Sequence, residues 1–322
     1  MRAGGVYALL GPTGVGKTAV AVELARLLGT LIVSCDSMQI YRGFPVLTNQ
    51  PAENESRDVA HELVGFVDPE RSFSAAEYAE VARPLIGADL EATGHALVAG
   101  GTGLYMRAAL APLAVAAAAD PELRARLEER AAAEGGGALH ADLARHDPVA
   151  AASIDPRNVR RVLRALETVL LTGHVWSGRG DLWAPDYYHQ TKVVGLTMQR
   201  DELYRRVDSR AERIVDGGAV DEGREFLRGR SPEATAPGGP GIRSAIGYPE
   251  ICRYLDGRQT REDTIRQIAA ATRQYARRQL TWLRKLEGAV MIDVGGRDPA
   301  AVAQEICRLT PAARESKETH PA

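Results

Sequence analysis

The stretch LLGPTGVGKTAV, Leu9 to Val20, constrains this chain more than any other. An apolar run, Val6 to Leu10, precedes it, and a run of helical period follows from Lys17 to Leu28. Gly11-Pro12-Thr13-Gly14-Val15-Gly16-Lys17-Thr18 fits the pattern G-x-x-x-x-G-K-[ST] in the strand-before, helix-after setting that gives it meaning. Glycines let backbone N–H groups converge on phosphate oxygens, and the helix N-terminus adds its dipole. Lys17 supplies a point charge, and the Thr18 hydroxyl can ligate Mg²⁺. The loop asks for a polyphosphate without saying which one.

Strand and helix signals then alternate. Leu31 to Cys35 reads as a second buried strand ending on Asp36, and a helix is expected from about Ser74, where Ser74 and Glu77 have capping-box spacing. Ala96 to Ala99 reads as a third strand, ending in the turn Gly100-Gly101-Thr102-Gly103. From about Pro121 helical patterns follow one another without strands, punctuated by Gly135-Gly136-Gly137, until Thr191 to Met198 and a run near Ala289 read as strands again. The implied fold is α/β, a P-loop NTPase-like parallel sheet flanked by helices with a mainly helical insertion. Residues 1–115 and 190–310 would form the core and 116–189 the insertion. Ser231 to Ser244 reads as a loop and 311–322 as a disordered tail.

Ligands of such sheets bind beyond the carboxyl ends of the strands, where all three polar clusters fall. Asp36 can be a general base beside the phosphate site, or a carboxylate that caps a turn or holds a Mg²⁺-bound water. Thr102 places a hydroxyl at the third strand end. Two basic runs stand apart from these. RNVRRVLRALE carries Arg157, Arg160, Arg161 and Arg164, spaced to share one side of a helix, and ATRQYARRQLTWLRK carries Arg273, Arg277, Arg278, Arg284 and Lys285. A solvated helix face and a surface for a polyanion backbone are both open readings.

Bulk properties narrow the classes. With 322 residues, 45% hydrophobic and 25% charged, the chain suits a globular protein of one or two domains. The net charge of −2 conceals how the bases are placed, and only four of the 40 basic residues are lysines. Three well-separated cysteines, Cys35, Cys252 and Cys307, have no metal-site spacing and suit a reducing cytosol. No room for a signal peptide before the first strand and no membrane-length apolar run lead to the expectation of a cytoplasmic protein, monomeric by default.

In order along nearly the whole chain, GPTGVGKT, DSMQIYRG, HELVGFVDP, SFSAAEYA, VAGGTGLYMRAAL, DPRNVRRVLRALE, VVGLTMQRDELYRRV, AIGYPEI and ATRQYARRQLTWLRK resemble the tRNA dimethylallyltransferases of bacterial type. That resemblance implies transfer of a dimethylallyl group from dimethylallyl diphosphate to the exocyclic N6 amine of the adenosine on the 3′ side of the anticodon, with release of pyrophosphate and with Mg²⁺ as cofactor. It assigns Lys17 and the loop Gly11 to Thr18 to the diphosphate and Thr18 to the metal. It makes Asp36 and Thr102 catalytic beside Lys17. It assigns Asp36, Ser37, Met38, Gln39, Thr102, Arg124, Arg160, Arg161 and Arg164 to the tRNA anticodon stem-loop. Arg210 matches a basic position given to the diphosphate or the tRNA backbone. Arg160 stands where relatives often have glutamine, and FPVLTNQPA, Phe44 to Ala52, replaces a stretch that often reads IGTAKPT. A small-molecule kinase, an RNA-binding or NTP-switch protein, and a prenyltransferase of free adenine nucleotides are the rival readings.

Overall fold

The computed structural model describes residues 4–52, 59–113, 120–173, 182–229 and 241–309. The expected disordered tail 311–322 and most of the expected loop at Ser231 to Ser244 lie outside them. The described residues fall into two compact units, one within Met1–Phe73, Glu77–Leu110 and Trp183–Ala322, the other within Ser74–Ala76 and Ala111–Leu182.

The first unit is built on six parallel strands in the order β3-β2-β4-β1-β5-β6: β1 Gly5–Leu10, β2 Ile32–Ser34, β3 His61–Glu62, β4 His95–Gly100, β5 Thr191–Thr197 and β6 Val290–Asp293. Every residue of β1 is buried, as befits the centre of a sheet covered on both faces. Helix α1, Lys17–Leu28, leaves the C-terminal end of β1, and Val20, Leu24 and Ala25 share a core with Leu9, Leu97, Leu196, Val302 and Ile306. The chain leaves β1 for β2, β3 and β4 on one side, then returns to the other side for β5 and β6. The crevice beyond the C-terminal end of β1 therefore lies at a change of direction, where open α/β sheets bind ligands.

β3 has no counterpart in the sequence reading. Two residues are too few to show a period, and their strand status comes from the parallel register Ile32 with His61 and Val33 with Glu62. The helix expected from about Ser74 runs over Ala75–Thr93.

Among its described residues the second unit contains four helices, Pro121–Glu134, Gly136–His146, Pro148–Ser153 and Val159–Thr172. Leu127, Leu139, Leu143, Ile154, Val162 and Leu166 are buried in a core of their own. Asp120, Asp147 and Asn158 cap three of the helices by accepting from the first-turn amides of Leu123, Ala150 and Arg161.

Candidate active site

The glycine loop turns sharply between β1 and α1. Gly16 has φ +95°, a left-handed conformation that glycine adopts without steric cost. Lys17 donates through Nζ to the Pro12 carbonyl at 2.9 Å. Desolvation lowers its pKa from 10.5 to about 8, with Asp36 opposing the shift and Arg210 adding to it. Burial at the head of α1 thus leaves an ammonium that lacks enough counter-charge and would gain from an anion. Arg210, on the helix Arg200–Ile214, donates through Nη1 to Thr13 Oγ1 at 2.6 Å, so it sits on the loop itself.

Asp36 lies just beyond β2. Its Oδ1 accepts from Met38 N–H at 3.0 Å, a turn-capping bond, while Oδ2 is the nearest acidic atom to Gly101. The turn-capping contact is therefore present, and Asp36 also lines the larger cavity described below. Thr102, beyond β4, accepts from Ser37 N–H at 3.0 Å and donates to Ser37 Oγ at 3.1 Å, fastening the segments after β2 and β4 together. Gln39 accepts from Ser34 Oγ at 3.2 Å and donates to the Asn49 carbonyl at 2.6 Å.

A cavity of about 720 Å³ gathers Thr13, Lys17, Thr18, Asp36, Gln39 and Arg210 on one wall system, with Arg205, Arg206 and Arg213 along one bank. A second cavity of about 200 Å³ lies against Gly101, Thr102, Tyr275, Gln279 and Trp282. Ser37 and Met38 line neither cavity; both are half-buried in the turn after Asp36. Thr18 and Asp36 offer one hydroxyl and one carboxylate to the larger cavity. Such a sparse oxygen set fits Mg²⁺, which keeps waters and takes its remaining ligands from substrate phosphates. No group of three or more His, Cys, Asp or Glu among the described residues could form a protein-only metal cage.

Comparison with known proteins places this geometry. A family model described as IPP transferase matches residues 39–286, and one described as isopentenyl transferase matches residues 4–64. The chain belongs to the IPP transferase family. A tRNA dimethylallyltransferase of Thermomicrobium roseum is 44% identical over 90% of this chain and 86% of its own length. Another from Geobacter metallireducens is 40% identical over 89% and 92%. The crystal structure of a full-length tRNA isopentenylpyrophosphate transferase from Bacillus halodurans is 37% identical, covers 94% of both chains and superposes with a TM-score of 0.67. As a member of the IPP transferase family the chain is a transferase, with the parallel-sheet fold expected from its sequence.

The arginines of this IPP transferase need correction in one respect. Arg157 does not share the helix stripe: it precedes the helix Val159–Thr172 and pairs with Asp155 at 2.8 Å. Glu167, fully buried, accepts from Arg164 at 2.9 Å and from Arg124 at 3.1 Å, so these two converge on one carboxylate. Arg160 and Arg161 are exposed in the first turn of that helix, where the dipole disfavours cations. Helix stability gains nothing from them there, which weighs against a merely solvated face. In the second run Arg273 pairs with Asp208, while Arg277 and Arg278 are exposed.

Two site residues escaped the sequence reading. Gln279 accepts from Thr13 N–H at 2.8 Å and donates to the Gly101 carbonyl at 3.0 Å, bridging the phosphate loop to the turn after β4. A Cβ at Gly101 would lie 2.3 Å from Gln279 Nε2, so a side chain there would displace the Gln279 amide from its bridge. Tyr275, one turn earlier, hydrogen-bonds to Thr102 and Gln279, and burial pushes its phenol pKa up. The signal was present: the buried face of Arg261–Leu283 runs Thr264, Ile268, Thr272, Ala276, Gln279, Leu283, and a large amide on such a face needs partners.

Proposed function

We propose that the protein transfers the dimethylallyl group of dimethylallyl diphosphate to the N6 amine of the adenosine 3′ to a tRNA anticodon, releasing pyrophosphate. The observation carrying this reading is that a phosphate loop at the end of β1 and a carboxylate at the end of β2 share one cavity. β4 runs between those strands, so their ends are about two strand spacings, roughly 10 Å, apart. The cavity can take a donor whose diphosphate sits on the loop and whose carbon tail extends toward Asp36.

The adenine nitrogen attacks the allylic carbon as the carbon–oxygen bond to diphosphate breaks. The electron pair leaves on pyrophosphate, and the amine proton passes to Asp36. Lys17, Arg210 and the loop amides neutralise the charge that develops on the leaving group. Mg²⁺, held by Thr18 and the phosphates, would supply further charge stabilisation. An adenine amine is weakly basic, so Asp36 orients it and takes its proton as the new bond forms. Ser37, Met38, Gln39 and Thr102 would surround the purine, which must leave its stack to arrive there. The helical unit, through Arg124, Arg160, Arg161 and Arg164, would hold the stem-loop backbone. The three cysteines are free thiols, in keeping with a reducing cytosol, and no described helix is long and apolar enough to cross a membrane.

The test is direct. Purified protein with dimethylallyl diphosphate, Mg²⁺ and an anticodon hairpin should release pyrophosphate and raise the mass of the RNA by one prenyl group. AMP as acceptor should turn over far more slowly, and labelled ATP should yield no phosphoryl transfer. An unaltered hairpin mass overturns the reading.

A further inference from the structure

The divergent stretch Phe44 to Ala52 has no role so far, yet its backbone and side chains are held by several contacts beside the cavity. Its core is the one-turn helix Pro45–Thr48, which ends at Asn49 in a left-handed conformation with φ 52°. Glu222, on the helix Val220–Leu227, accepts from Val46 N–H at 2.6 Å through one carboxylate oxygen and from Leu47 N–H at 2.9 Å through the other. Four residues on, and so on the same face of that helix, Phe226 meets Phe44 edge-on at 5.3 Å between ring centroids. Tyr248 closes the aromatic triad at 6.2 Å from Phe44 and 5.9 Å from Phe226.

What this clamp presents is the Asn49 carbonyl. It accepts from Gln39 Nε2 at 2.6 Å, while Gln39 Oε1 accepts from Ser34 Oγ. A carbonyl can only accept, so the Asn49 contact fixes which end of the Gln39 amide is nitrogen. Among the described residues, one N–H and one lone pair of that amide remain. Those are the groups a glutamine offers to the N6 and N7 edge of adenine. Thr48, Asn49 and Gln39 all line the larger cavity with Asp36.

We propose that Glu222 is a positioning residue for the acceptor purine. By binding Val46 N–H and Leu47 N–H it holds the turn 45–50 so that the Asn49 carbonyl sets the Gln39 amide. The inference rests on the reading of Asp36 and Gln39 as the purine side of a tRNA prenyltransferase. It adds a residue well removed in sequence from that side, acting through backbone rather than by touching substrate. The phosphate loop is held by other contacts, so the donor side should be indifferent to Glu222.

The experiment is a double-mutant cycle in the full chain, using an anticodon hairpin as acceptor. Glu222→Gln leaves less acceptor capacity for two N–H groups, and Glu222→Asp withdraws the carboxylate by one methylene. Each should raise the hairpin KM by roughly five-fold, about the worth of one hydrogen bond, with the KM for dimethylallyl diphosphate unchanged. In a Gln39→Ala background the same substitutions should have little further effect. Thermal unfolding of each variant identifies any that fail to fold, and either substitution alone completes the cycle. Additive effects of Glu222 and Gln39, or an equal rise in both KM values, overturn the inference. A wild-type protein that leaves the hairpin unprenylated overturns instead the function on which it rests.

Discussion

Lys17 carries a cost in the free protein that its ligand should repay. Its pKa falls from 10.5 to about 8 on burial. At about 1.4 kcal/mol per tenfold change in proton affinity, that corresponds to about 3 kcal/mol of strain in the charged form at pH 7. The side chain keeps some exposure, so solvent screening brings the figure down to about 2 kcal/mol. Lys17→Met removes this cost. It also removes the bond to the Pro12 carbonyl, worth about 1 kcal/mol. The variant should therefore be inactive yet more stable than the wild type by about 1 kcal/mol at pH 7.

The pH dependence separates this cause from better packing. Between the folded pKa of about 8 and the free value of 10.5 the unfolded chain binds more protons than the folded one. Wild-type stability thus gains from this group as pH rises through that window, and the advantage of Lys17→Met shrinks. Guanidinium unfolding midpoints of both proteins at pH 7 and pH 9.5 measure the effect. Added pyrophosphate with Mg²⁺ should stabilise the wild type strongly and the variant weakly. A variant less stable than wild type at pH 7, or a difference that does not change with pH, refutes the reasoning.

Further expectations follow from the same geometry. Diphosphate binding at pH 8 should take up protons onto Lys17, read as a dependence of the calorimetric enthalpy on buffer ionisation, and affinity should fall as pH rises beyond 8. Asp36→Asn keeps the oxygen that Met38 N–H needs, so hairpin binding should persist while kcat falls roughly 10²–10³-fold in single-turnover assays. Replacing exposed Arg160 and Arg161 together by alanine should weaken hairpin binding and flatten the log–log salt slope by roughly 1.5, with kcat kept at saturating RNA. Gly101→Ala drives a methyl group into Gln279 Nε2 and should cost about 1–3 kcal/mol in thermal unfolding. Gln279→Ala should relieve part of that cost, and a purely additive pair would refute the contact.

Local chemistry was legible wherever one short segment does the work. The phosphate loop needs its glycines and lysine in a row, and α1 starts at the expected Lys17. The strands ending on Asp36 and on the Gly100 turn were readable because central parallel strands are short, continuous apolar runs. Contacts made across long separations were not. Gln279 reaches back 266 positions to Thr13, and nothing near Gln279 in the chain announces a phosphate loop. Arg157 was placed with its neighbours by spacing alone. Asn158 caps the following helix, which leaves Arg157 in the turn before it, where Asp155 captures it.

Strand order decides which groups meet beside the phosphate loop, and order is invisible in a list of motifs. β2 follows β1 in the chain, but β4 lies between them in the sheet. Had β2 paired with β1 directly, Asp36 would stand one spacing, about 5 Å, from the loop. The intervening strand instead brings Thr102 and the Gly100 to Gly103 turn between cradle and carboxylate, with Gln279 tying that turn to the cradle. Lys17 and Asp36, read as separate motifs nearly twenty residues apart, therefore line one cavity through the order of the strands rather than the order of the chain.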